Sequence, residues 1–133
     1  MLSVADENCA LSVDLAPGQM NDAVLLERTL DAATARVVVD EVVADKAYAG
    51  TPQREACVDR NLAPQVPNKC NSVDPWPFDP VAYRERNKVE RCINKIKQFR
   101  RIATRYDKLR ITFLGMLHLT LGFIQARAII NTA

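Results

Sequence analysis

The chain opens on two short runs in which apolar and polar positions alternate, MLSVAD at 1–6 and ALSVDLA at 10–16. Alternation with a period of two is the mark of a strand with one covered face. Only residues 7–9 separate the runs, so a hairpin is expected. Pro17-Gly18 ends the alternation, and Asn21 or Asp22 can cap a helix running to about Thr34, with Val24, Leu25 and Leu30 on one face. VVVDEVVAD at 37–45 is apolar and β-branched, which predicts a buried strand ending at Asp45. A short helix over 52–61 and a strand near Gln65-Val66 follow. Four prolines mark 67–80 as an ordered loop. From 81 to 103 the period becomes helical. At about 100° per residue, Val89, Cys92, Ile93, Ile96, Phe99 and Ala103 gather into one apolar stripe. Strands first, then strands alternating with helices, then two C-terminal helices predict an α/β layered domain.

The last run, ITFLGMLHLTLGFIQARAII at 111–130, is long enough to cross a bilayer and follows a basic flank. It contains His118, Gln125 and Arg127, however, and Thr112, Gly115, Gly122 and Gln125 fall opposite Leu114, Leu117, Leu121 and Ile124. That arrangement predicts an amphipathic helix packed on a core, with no membrane partner. His118 stands alone and reads as structural.

With 133 residues, 48% apolar and 26% charged, the chain has the length and composition of a single globular domain over 1–133. Net charge is only +2, but its distribution is uneven. Residues 1–83 hold 6 Lys/Arg against 13 Asp/Glu, whereas 84–110 hold 11 Lys/Arg against Glu85, Glu90 and Asp107. One basic segment on an acidic body suits a polyanion-facing element, although on charge alone a solvated helix face is the better reading. Cys9, Cys57, Cys70 and Cys92 form no C-x-x-C pair and join no histidine cluster, which excludes the usual zinc spacings. With no signal peptide in view they read as reduced thiols in a cytoplasmic protein.

On the helix wheel Arg84, Lys88, Arg91 and Lys95 face water, opposite the stripe. Tyr83, Arg86, Glu90 and Lys97 lie at its border, within about 60° of one another. Arg100 falls near the stripe, which makes sense only if the helix bends. Glu90 therefore has two readings. It either pairs with Arg86 and Lys97, for about 0.3–0.5 kcal/mol, or it ligates a metal beside a bound phosphate. The second needs further carboxylates, and Asp6 and Asp45 at strand ends supply them. Hard oxygen donors of this kind select Mg²⁺ or Mn²⁺.

The order Tyr83, Arg86, Glu90, Lys97 reproduces Y-x2-R-x3-E-x6-K at every spacing. With VVADKAY at 42–48, PWPFDPVAYRERNKVE, QFRRIATRYDKL and APGQMND at 16–22, the chain resembles the catalytic part of bacterial insertion-sequence DDE transposases. The resemblance covers nearly the whole chain. It implies an RNase H-like, retroviral-integrase-type mixed sheet flanked by helices, here N-terminally truncated. It implies a two-metal site held by Asp6, Asp45 and Glu90, with Asp45 as the family's second aspartate. Asp6 holds the first position by its place in the family pattern, with Asp14 and Asp22 as alternatives. Tyr83, Arg86 and Lys97 would contact transposon-end DNA and backbone phosphate. Arg84, Lys88, Arg91 and Lys95 would add salt-sensitive affinity. The implied chemistry is nicking at the transposon ends and attack of the freed 3′-hydroxyl on target DNA.

The sequence departs from the family pattern in three places. Around Asp6 the run is DENCA, with Cys9 where the family has glycine. Ala49-Gly50 follows DKAY in place of the common Asp-Ser. The family's N-terminal DNA-binding region has no counterpart here. The chain is thus expected to be the second frame of a split transposase, or a remnant acting only as a DNA-binding or transposase-partner module. Its implied partners are DNA and either further copies of itself or an N-terminal half.

Overall fold

A computed structural model describes residues 1–16 and 23–132, with the backbone alone at 23 and 24. Helices alternate with small sheets, so the chain is α/β. It divides into two compact units. One holds the N-terminal hairpin and the chain from Lys88 onward; the other holds the first helix and the chain up to Asn87.

In the first unit, strands β1 (Leu2–Val4) and β2 (Ala10–Val13) form the expected antiparallel hairpin, with Leu2 opposite Val13 and a bulge after Ser3. The Ser3 and Ser12 hydroxyls bond across it at 2.6 Å. Asp14 N–H donates to Met1 O at 2.9 Å, and the Met1 ammonium donates to Asp14 O at 2.6 Å, so the pairing extends to the first residue. The single helix expected over 81–103 is instead interrupted. The chain runs through α3 (Pro80–Tyr83), a 3-10 turn at Arg84–Arg86, α4 (Asn87–Lys97) and α5 (Arg100–Ala103). Phe99 leaves the helical region, at φ −82° and ψ 102°, and carries the bend that Arg100 required. The final helix α6 spans Arg110–Thr132.

Cys92, Ile96, Ile102, Leu117, Leu121 and Ile124 form the core of this unit, lined by Leu2, Val4, Ala10, Val13 and Phe113. Cys92 is fully buried, at 0% exposure. Phe99 meets Phe123 edge-to-face, with ring centres 5.9 Å apart. The expected stripe of α6 is the buried one, and Thr112, Gly115, Gly122 and Gln125 are exposed. The outer face is less polar than the wheel suggests, because Ile111, Leu119, Phe123, Ile129 and Ile130 are exposed there as well. By length and composition α6 could cross a membrane.

The second unit begins with α1 (Ala23–Thr34); the capping residues expected at 21 and 22 lie outside the described part. Leu25, Leu26, Leu30 and Ala33 are buried with Cys57 of α2 (Thr51–Val58), Leu62 and Val66. Asn61 takes a left-handed conformation, φ 58°, which a short polar side chain tolerates. The strand expected over 37–45 shrinks to β3 (Glu41–Val43), paired in parallel with β4 (Ala63–Gln65). Val38 is 93% exposed, so β-branching there does not signal burial. The single mixed sheet is not what forms: the described strands make two separate two-stranded sheets.

Candidate active site

Asp45 stands two residues past the end of β3 and immediately precedes the 3-10 turn Lys46–Tyr48. Its carbonyl accepts the Tyr48 N–H at 2.9 Å, while its side chain caps nothing and is 58% exposed. The loop 67–80 is ordered as expected, and its end builds the facing wall. The Asp79 carboxylate accepts the Val81 N–H at 2.7 Å, and Pro80 opens α3, both standard helix-start devices. Tyr83 closes that helix and meets Phe78 edge-to-face at 5.4 Å. One turn on, the Arg86 guanidinium lies 5.9 Å from the Tyr83 ring centre and 3.6 Å from the Asp45 carboxylate. Tyr83, Arg86 and Asp45, two of them signature residues, are thus gathered within the second unit. Asp45 is exposed and Arg86 half-buried, and a partly solvated pair at that distance contributes about 0–1 kcal/mol.

The first unit carries the other site residues. Asp6 stands in the hairpin turn, where its Oδ1 accepts N–H bonds from Asn8 at 2.6 Å and Cys9 at 2.9 Å. The Asp6 side chain holds this turn closed. Glu90 is exposed in the first turn of α4, where a carboxylate complements the helix dipole. Lys97 is exposed at the end of the same helix. A 3-10 turn at Arg84–Arg86 stands between Tyr83 and α4, so the four signature residues are not on one unbroken α-helix.

The basic outer face also differs from expectation. Arg84 is exposed, but Lys88 and Lys95 are half-buried. Lys95 Nζ donates to Glu7 at 2.8 Å and to Asn8 at 2.6 Å, and Arg91 reaches the same Glu7 at 3.0 Å. The two cations hold the Glu7 carboxyl below its ordinary value, Lys95 more than Arg91. Glu7 had no role in the sequence-based reading, because nothing local links a turn residue to a helix 88 positions away. Asp14, the alternative to Asp6, is likewise occupied: it accepts from Arg110 at 3.1 Å and from its neighbour Leu15 N–H at 2.7 Å.

Hard, exposed carboxylate oxygens on Asp45 and Glu90 suit a divalent ion chemically. Among the described residues, however, no group of three or more His, Cys, Asp or Glu side chains is close enough together to hold a metal.

Residues 2–122 match the family model described as the transposase DDE domain. The chain belongs to the insertion-sequence DDE transposases. A Brucella ovis protein named as a transposase for insertion sequence element IS6501 is 37% identical to this DDE transposase over 92 residues. The match covers 67% of this transposase and 69% of the relative, so the two chains are of nearly equal length. No solved structure matches it significantly.

Proposed function

We propose that this chain is the catalytic part of a transposase that cleaves transposon-end DNA and joins the freed 3′-hydroxyl to target DNA in the cytoplasm. The observation that carries this reading is the contact of Arg86, from the family signature, with Asp45, from the DKAY block, beside Tyr83. Both units would serve one RNase H-like catalytic domain over 1–133. Asp6, Asp45 and Glu90 would hold Mg²⁺ or Mn²⁺, which when bound activates the attacking oxygen and steadies the leaving one. Arg86 would leave Asp45 for a phosphate, with Tyr83 backing its guanidinium and Lys97 contacting the backbone further along. Arg84 and Lys88 would extend the phosphate track, and Arg91 and Lys95 would join it only by giving up Glu7.

In this reading the chain is the second frame of a split transposase, working with an N-terminal half or with further copies of itself.

The test uses the full chain. Asp45→Asn and Glu90→Gln are each expected to remove strand cleavage while leaving the DNA dissociation constant nearly unchanged; equal cleavage by the variants would eliminate the carboxylate site. Mn²⁺ should also stabilise the wild type but not Asp45→Asn, by about 2.7 kcal/mol at a hundredfold excess over its dissociation constant. If Mn²⁺ stabilises neither protein, the chain acts as a DNA-binding or transposase-partner module.

A further inference from the structure

Arg54 is the one charged side chain in the buried interior of the second unit, at 2% exposure among the described residues. It projects from α2, and among the described residues no ion pair accompanies its burial; instead its guanidinium spreads over the proline-rich loop. Nη1–H donates to the Asn68 side-chain oxygen at 2.8 Å, and Nη2–H donates to the Val66 carbonyl at 2.8 Å. The guanidinium carbon stands 5.6 Å from the ring centre of Trp76, the only tryptophan of the chain. Nε–H is buried with no acceptor among the described residues. An arginine so placed is a costly way to fill a core, since an apolar side chain of similar length needs no partners at all. What it supplies, and an apolar chain does not, is a rigid fork that fixes two loop oxygens and an aromatic face at once.

The fork acts through Asn68. That side chain also accepts the Trp76 N–H at 3.1 Å and donates to the Trp76 carbonyl at 2.9 Å, so it holds both backbone groups of one residue. Three residues later Gln65 Oε1 accepts the Asp79 N–H at 3.0 Å, and Asp79 starts the helix that ends in Tyr83. Arg86 and its contact with Asp45 follow within one turn. Each step is a contact inside the second unit, and the chain from 66 to 79 has no regular element of its own to stiffen it.

We propose that Arg54 is a positioning residue: by clamping the Trp76 loop through Asn68 and Val66, it sets Tyr83 and Arg86 against Asp45. The role rests on the transposase reading only for its consequence in cleavage, not for the clamp itself.

Hydrogen exchange of the full-length chain, read by mass spectrometry, tests the clamp directly. Arg54→Met, which keeps the volume but loses the fork, should speed exchange of the amides from Trp76 to Arg86 at least tenfold and leave α1 unchanged. Trp76 emission should become at least twofold more quenchable by acrylamide, and Arg54→Lys should fall between. Unchanged exchange over 76–86, or equal loosening of the whole second unit, would reduce Arg54 to a core filler and overturn the proposal. If Arg54→Met does not fold, Asn68→Ala decides, because it cuts the clamp without emptying the core: local loosening supports the role and none refutes it. Strand cleavage should then drop at least tenfold with DNA affinity held. Absence of cleavage in every protein, wild type included, would count against the transposase reading while the exchange data still judged the clamp.

Discussion

The two units use ion pairs for different ends. In the first, charge fastens structure: Glu7 in the hairpin turn takes both Lys95 and Arg91 from α4, Asp14 takes Arg110 from α6, and Arg101 and Asp107 pair twice, at 2.9 and 3.0 Å. In the second, Arg60, in the turn just after α2, does similar work with Asp31 of α1, but the pair at Arg86 and Asp45 is longer. Where opposite charges meet at hydrogen-bond distance and tie two elements, they are structural. Where they meet at longer range beside an aromatic ring, they contribute less to the fastening. Basic residues in one short stretch of sequence therefore divide by what the tertiary fold offers them.

The comparison predicts a ranking. The largest effects should come from the cores: Leu121→Ala or Leu117→Ala in the first unit and Leu30→Ala in the second should each lose about 2–5 kcal/mol in urea unfolding. Exposed Leu119→Ala should stay within about 0.5 kcal/mol, and a large loss there would show that the outer face of α6 is covered in solution. Next, Arg86→Ala should lower strand cleavage about a hundredfold with a stability change below about 1 kcal/mol. A large stability loss would instead place Arg86 among the fasteners.

A smaller effect separates the two kinds of cation more finely. Glu7→Gln releases Lys95 and Arg91, so DNA affinity at low salt should rise and the salt dependence should steepen by up to about 0.9 per released cation. An unchanged slope would mean these cations never reach phosphate. Smallest is the pH response. Glu7, Asp31 and Asp107 are held below their ordinary values of 4.5, 3.8 and 3.8 by hydrogen-bonded Lys95 and Arg91, Arg60, and Arg101. The unfolded chain then binds more protons than the folded one. The stability these groups contribute is complete above about pH 4.5 and fades as pH falls through their lowered values. Glu7→Gln should flatten the part of a pH-melting profile below pH 4.5, and an unaltered profile would remove that fastening.

Much of this was legible along the chain because it is local. Alternation and a three-residue turn were enough for the hairpin, α1 and α2 followed from stripes and breakers, and the inner stripe of α6 was visible at helical spacing. The signature from Tyr83 to Lys97 with the DKAY block also pointed to the family that residues 2–122 match. What was not legible depended on partners far apart in sequence. Val37 and Val38 look like a core strand until the partner strand proves to be Ala63–Gln65, which pairs only with Glu41–Val43. Lys95 looks solvated until the hairpin turn brings Glu7 to it, and Arg54 looks like a surface charge until the proline-rich loop folds over it. Backbone propensity and side-chain period act over a few residues, so the sequence by itself determined elements and family. Burial, ion pairing and the meeting of Arg86 with Asp45 are free energies of contact between distant segments, and only the tertiary structure decided them.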